Sequence, residues 1–146
     1  MKDIVISCDH AGFDLKELVK HELKQQGMDV TDLGPRNADR VDYPDMIHPL
    51  ANAINDGQFK RGIIICGSGN GVAMTANKYP KIRAAICWNK EIASLARLHN
   101  DANIISLPAR FITESEALAC VSTFLTEQFE GGRHADRVNK IAIKNC

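Results

Sequence analysis

Three consecutive isoleucines, Ile63-Ile64-Ile65, run directly into Cys66-Gly67-Ser68-Gly69-Asn70-Gly71. A β-branched run of this kind is apolar on both faces of a strand, because successive side chains point to opposite sides. Such a strand has to be covered on both faces, which is the environment of a parallel sheet held between helical layers. The glycines behind it mark a tight turn into a helix over about 71–78.

The rest of the chain repeats that alternation. Ile4-Val5-Ile6-Ser7-Cys8 reads as a buried strand, and residues 12–26 carry Leu15, Leu18, Val19 and Leu23 as a helical stripe stopped by Gly27. Met28 to Leu33 reads as a second strand, closed by Gly34-Pro35. Asp42-Tyr43-Pro44-Asp45 opens a helix with proline in its first turn, continued by Ile47, Leu50, Ala51 and Ile54. Arg83 to Cys87 and Asn103 to Leu107 are further strands. Asn89 caps a helix with Ile92, Leu95 and Ala96. Thr113-Glu114-Ser115-Glu116 is a capping box for a helix with Leu118, Val121, Phe124 and Leu125. A last helix is expected over about 133–144, after Gly131-Gly132. The pattern predicts an α/β chain, a three-layer αβα sandwich around a five-stranded parallel sheet with an extra C-terminal helix. No linker or repeat interrupts it, so residues 1–146 are expected to form one domain.

Composition narrows the class of function. Net charge is +0 with no basic block, which argues against nucleic-acid and membrane-surface roles. No apolar run approaches the roughly 20 residues of a membrane span. The N-terminus enters a strand at once, without the pattern of a signal peptide. The five cysteines (Cys8, Cys66, Cys87, Cys120 and Cys146) include no Cys-x-x-Cys pair. An odd, scattered set of this kind predicts neither a disulfide framework nor a structural zinc site. It predicts buried, inert thiols in a reducing cytoplasm, with one exception.

That exception is Cys66. Ligands of open α/β sheets bind outside the carboxyl ends of the strands. Cys66 to Gly71, Asp9 and His10, and Arg110 all fall there. Alternating glycines let the backbone approach a ligand, and their successive N–H groups can cradle an anion. A helix start behind them adds a positive dipole end, an environment that favours the Cys66 thiolate. A thiolate beside an oxyanion-binding loop suits base catalysis with enolate stabilisation. The competing reading is a tight turn with a packing cysteine. Familiar phosphate and nucleotide motifs do not fit. A Walker loop needs Gly-Lys-Ser/Thr, but Val72-Ala73 follow Gly71. The dinucleotide fingerprint needs glycine where Val72 stands, or Met74 in the other register. A cysteine phosphatase loop needs arginine where Val72 follows Cys66 and Asp14 follows Cys8.

Other residues are weaker by themselves. Asp9-His10 can be a turn capping the next helix. His99 can simply complement a helix dipole. Arg133 and Arg137 share a helix face with bidentate capacity for phosphate, or form a solvated basic face. His21 and His48 read as surface residues, and Asp42 and Asp45 as helix caps. No His/Asp/Glu set has metal-ligand spacing along the chain.

Taken together the motifs are recognisable. Ser7-Cys8-Asp9-His10-Ala11-Gly12-Phe13, Asp42-Tyr43-Pro44, Cys66-Gly67-Ser68-Gly69, Ala76-Asn77-Lys78, Leu98-His99-Asn100-Asp101-Ala102-Asn103 and Gly131-Gly132-Arg133-His134 occur in order along essentially the whole chain. The sequence resembles the family of the type B ribose-5-phosphate isomerases, which also holds allose-6-phosphate and galactose-6-phosphate isomerases. The resemblance implies a Rossmann-like sandwich whose active site is shared across a homodimer, and no cofactor or metal. It implies conversion of ribose 5-phosphate to ribulose 5-phosphate, in the pentose phosphate pathway, through ring opening and a cis-enediolate. Cys66 would be the base, helped by Ser68, with the N–H groups of Gly67, Gly69, Asn70 and Gly71 holding the enediolate oxygen. His99 would open the sugar ring. Asp9 and Asn100 would bind hydroxyls, Tyr43 would line the ring site, and His10, Arg110, Arg133 and Arg137 would gather the phosphate end. Val138, Ile141 and Ala142 would take part in the dimer contact, and pairing of dimers into tetramers stays open.

Departures from the family pattern bear on the base. Many members have threonine where this chain has Ser68, which keeps the hydroxyl. Another branch uses a glutamate in the following helix, where this chain has Val72, so Cys66 is left as the candidate base. The alternatives are a six-carbon sugar phosphate such as allose 6-phosphate, or a sugar-phosphate-binding module without turnover.

Overall fold

The computed structural model describes residues 2–144. Cys146 lies outside them. The chain runs β1 (Lys2–Cys8), a 3₁₀ turn (His10–Gly12), α1 (Phe13–Gln25), β2 (Val30–Asp32), α2 (Tyr43–Asn55), β3 (Phe59–Cys66), α3 (Asn70–Ala76), β4 (Ala84–Ile86), α4 (Lys90–Leu98), β5 (Ile104–Pro108), α5 (Glu114–Thr126) and α6 (Arg133–Val138). Every strand pairing is parallel, in the order β2-β1-β3-β5-β4.

The isoleucine run does what its two-residue period requires. Ile63 and Ile65 enter one apolar layer with Leu15, Val19, Val121 and Phe124 of α1 and α5. Ile64 enters the opposite layer with Ile47, Leu50 and Val72 of α2 and α3. All three are fully buried, each worth about 1.5–3 kcal/mol of transfer free energy. The chain reverses its direction of travel across the sheet between β1 and β3, and ligands of such sheets sit in the crevice above that point. Asp9 and Cys66 are the residues there.

The capping signals are realised unevenly. Asn89 Oδ1 accepts the Ile92 N–H at 2.9 Å, and Thr113 Oγ1 accepts the Glu116 N–H at 3.1 Å. Asp42 stands at the N-cap of α2, but its side chain makes no cap hydrogen bond, contrary to expectation. The edge strands β2 and β4 are shorter than expected because each has one neighbour only. The C-terminal helix differs most. It ends at Val138 rather than near residue 144, with Asn139 as its C-cap. Beyond it Ile141 is 54% and Ile143 91% exposed. Short helices depend on burying an apolar face, and within the chain Ile141 and Ile143 stay uncovered.

Candidate active site

Cys66 ends β3 in register with Pro108 of β5, and its carbonyl accepts the Ala109 N–H at 2.8 Å. Its side chain is 5% exposed, and Sγ lies 3.2 Å from the Gly69 nitrogen, which donates to it. Gly69 has φ +77°, a conformation that non-glycine residues adopt at a cost. Buried Ser106 on β5 donates to the Gly69 carbonyl at 2.7 Å, and its Oγ lies 3.2 Å from where a Cβ on Gly69 would fall. The strand, the left-handed glycine and the serine therefore fix an N–H on the sulfur, where it stabilises negative charge.

The loop's other donors are partly used. Exposed Ser68 accepts the Asn70 N–H at 3.2 Å through Oγ. Of the expected N–H cradle, Gly69 and Asn70 are therefore engaged inside the loop. Gly71, in the first turn of α3, has no intrahelical carbonyl to reach. A Cβ on Gly71 would fall 2.6–2.9 Å from the Tyr43 ring, and one on Gly67 would fall 3.3 Å from the Arg110 side chain. Tyr43 and Arg110 thus lie directly against the loop, and both are exposed.

Asp9 completes this edge. Its N–H donates to the Ile65 carbonyl at 3.1 Å, beside Cys66. Oδ1 accepts the N–H groups of Ala11 and Gly12 at 2.9 and 3.1 Å, so the capping reading holds. Oδ2 takes no hydrogen bond among the described residues. His10 rests on Val41, with Nδ1 3.3 Å from its carbonyl. The loop that carries Val41 is tied down by Lys16, which is fully buried and donates to Asp32 and to the Pro35 carbonyl. A cleft of about 480 Å³ opens here, lined by Asp9, His10, Val41 and Tyr43 among others. A larger hollow of about 690 Å³ along α1, by Lys20, His21 and Lys24, holds none of the expected site residues.

Three other buried cysteines are inert. Burial pushes the thiols of Cys8 and Cys87 up to about 12 and that of Cys120 to about 11, which keeps them protonated and inert.

His99 and Asn100 lie elsewhere. His99 is the C-cap of α4. The chain then turns through Asp101 and climbs β5, whose far end meets Cys66. At roughly 3.3 Å per residue, β5 separates the two groups by about 13–16 Å. The corner is built on Arg97, 2% exposed, which donates to Asp101 at 2.8 Å and to the Ala102 carbonyl at 2.7 Å. The Glu130 N–H donates to the Leu98 carbonyl at 3.1 Å and brings α6 alongside. The His99 ring then stacks on His134, centroids 4.2 Å apart and 12° from parallel. Burial, helped by the neighbouring His99 ring and the Arg133 guanidinium, lowers the proton affinity of His134. Arg133 and Arg137 are exposed on the same short helix.

The expected residues therefore form two groups. Cys66, Gly67, Ser68, Gly69, Asn70, Gly71, Asp9, His10, Tyr43 and Arg110 share the carboxyl edge of the sheet. His99, Asn100, Arg133 and Arg137 share the opposite edge. Within one chain the two groups do not meet. Ser106, Arg97 and the His134 stack escaped sequence reasoning. The signals were a serine inside an apolar strand, an arginine on the apolar side of a helix, and Glu130 four residues before His134.

Comparison with known proteins agrees across the chain. A family model described as Ribose/Galactose Isomerase matches residues 4–141. A probable ribose-5-phosphate isomerase B of Mycoplasma pneumoniae is 47% identical over 139 residues, covering 94% of this chain and 91% of that protein. The structure of Clostridium thermocellum ribose-5-phosphate isomerase B superposes with a TM-score of 0.93 at 46% identity, covering 95% of this chain and 94% of that one. Ribose-5-phosphate isomerase B of Mycoplasma genitalium, solved with bound ribulose-5-phosphate, gives a TM-score of 0.91 at 41% identity, with 95% and 93% covered.

Proposed function

The chain belongs to the ribose/galactose isomerase family, and from that premise we propose that it interconverts ribose 5-phosphate and ribulose 5-phosphate, with Cys66 as the base. It is an aldose–ketose isomerase. The observation that carries the assignment of the base is the Gly69 N–H held 3.2 Å from the Cys66 sulfur at the mouth of the β1–β3 crevice.

The chemistry follows from the geometry. The Cys66 thiolate takes the proton from C2 of the open-chain aldose, and the electron pair forms the enediolate. The same thiol returns the proton to C1 while the hydroxyl proton passes from O2 to O1, which gives the ketose. Negative charge on the enediolate oxygen is met by loop N–H groups left free, such as that of Gly71, and by the Ser68 hydroxyl. One such donor is typically worth about 10²–10³ in rate. Asp9 Oδ2 accepts from a sugar hydroxyl, Tyr43 flanks the ring, and His10 and Arg110 attract the phosphate end. The reaction moves two protons and two electrons within one molecule and calls for no cofactor.

Ring opening needs an acid–base group, and the candidate, His99, stands at the opposite edge of the sheet. The site is therefore completed by a second copy of the chain. The partner subunit's His99 and the partner's Asn100 would reach the sugar ring, and the partner's Arg133 and the partner's Arg137 would close around the phosphate. Apolar Ile141 and Ile143, exposed in the single chain, suit burial in such a homodimer. Four free, buried cysteines with no disulfide among the described residues favour the cytoplasm.

The assignment is tested by following ribulose 5-phosphate formation from ribose 5-phosphate by purified protein in the presence of chelator. Sustained turnover is expected. A folded dimer that leaves ribose 5-phosphate untouched but converts allose 6-phosphate would replace the substrate. Tight binding of sugar phosphates with no turnover would replace the reaction.

A further inference from the structure

The stacked histidines have a property that their spacing along the chain conceals. One ring nitrogen of His99, one of His134 and a carboxylate oxygen of Glu130 all lie within 4.8 Å of one another. Among the described residues this is the one such group of metal-ligand type. Backbone hydrogen bonds fix the main chain at all three. His99 N–H donates to Leu95 at 2.9 Å, Glu130 N–H to Leu98 at 3.1 Å and His134 N–H to Gly131 at 3.1 Å. Gly131 and Gly132, with φ +68° and +54°, fold the chain so that Glu130 turns back to 3.5 Å from His134.

Two imidazoles and one carboxylate are a donor set that zinc accepts at about 2.0–2.2 Å, with a further position left for water or a ligand oxygen. Imidazole donors favour zinc, copper and nickel over magnesium or calcium. A metal at those bond lengths needs its donors about 3.3 Å apart, and an imidazole lone pair lies in its ring plane, so the donors have to approach by up to about 1.5 Å and the near-parallel rings have to rotate out of their stack to face one ion. Glu130 can supply much of that movement. Its carboxylate is exposed, and among the described residues it pairs with His134 alone.

We propose that His99, His134 and Glu130 form a binding site for a transition-metal dication of the zinc class, and that the bound metal inhibits the isomerase by occupying His99. The site rests on the proximity and donor chemistry of the three groups and not on the reaction. The inhibition rests on His99 having the ring-opening role given above. A metal bound to the His99 nitrogen takes the lone pair that accepts the sugar's proton, so ring opening stops while the carbon acid chemistry at Cys66 is left in place.

The test is a zinc titration of metal-stripped protein against a chromophoric chelator, run beside turnover of ribose 5-phosphate. The wild type and Cys66→Ala are expected to bind one zinc per chain with equal affinity. Glu130→Gln and His134→Gln are expected to bind at least about tenfold more weakly, since even residues that only orient a ligand carry about 10–100-fold in affinity. Zinc should suppress wild-type turnover reversibly, and Glu130→Gln should need correspondingly more zinc, relative to its own metal-free rate. Glu130 is exposed, so this variant folds even if His134→Gln does not. Undiminished binding in Glu130→Gln, or binding lost only in Cys66→Ala, overturns the site and leaves the isomerase reading intact. Binding without inhibition overturns the regulatory claim and the ring-opening role of His99 with it.

Discussion

The two edges of the sheet are built differently. At the carboxyl edge, Cys66 is placed by the ends of paired strands, and its sulfur by a backbone N–H. Gly69, Ser106, Gly12 and Asp9 leave little room for adjustment: a Cβ on Gly12 would fall 2.6 Å from the Ile65 carbonyl oxygen. At the opposite edge, His99 is placed by side chains, namely its stack on His134 and the Arg97 scaffold beneath it. α6, which carries His134, is six residues long and packs through few buried groups. A proton taken from carbon needs a fixed base beside a fixed oxyanion site. Opening a sugar ring needs an imidazole that reaches a substrate held by another surface, and some freedom there is tolerable.

This contrast makes graded expectations. Cys66→Ala should lower turnover by about 10³-fold or more on both ring and open-chain substrates, within the range of general base loss, with folding unchanged. His99→Asn should lower it by about 10²-fold on the ring form and far less on an open-chain sugar phosphate. Stopped-flow comparison of the two substrates separates them, and equal losses for His99→Asn would erase the division of labour.

Arg97→Ala should loosen the imidazole edge. The Ala102 carbonyl would lose its partner and Asp101 would keep only Arg83, at about 2 kcal/mol, below the 3–5 of a fully buried pair because Asp101 is one-third exposed and still paired. Denaturant unfolding measures this, and a loss under 1 kcal/mol would show the corner to be held by something else. Gly69→Ala is the gentlest change. Its left-handed backbone should cost about 1–2 kcal/mol. As the N–H shifts off the sulfur, kcat should fall roughly tenfold, short of the 10²–10³ for a deleted donor. Unchanged kcat would show that the Gly69 contact merely shapes the turn.

The same contrast decided how much could be read from the sequence. The carboxyl edge was legible because its placement is local. A β-branched run sets the strand, glycines set the turn, and topology sets the crevice. The other edge was legible only as family likeness, since the stack of His99 on His134 joins segments that no local pattern connects. The end of α6 was misjudged for a related reason. Val138, Ile141 and Ala142 keep helical spacing, but a helix persists only where something buries its face. Asp42 was expected to cap α2 from its position, although capping depends on a rotamer that sequence does not specify.

The central claim is that each site takes Cys66 from one chain and His99 from another. Differently tagged Cys66→Ala and His99→Asn chains, each inactive or nearly so as a homodimer, can be coexpressed and the mixed dimer purified through both tags. One of its two sites would then hold both native residues, and the mixed dimer should recover about half of wild-type turnover on ribose 5-phosphate. A mixed dimer no more active than its parents would contradict the account.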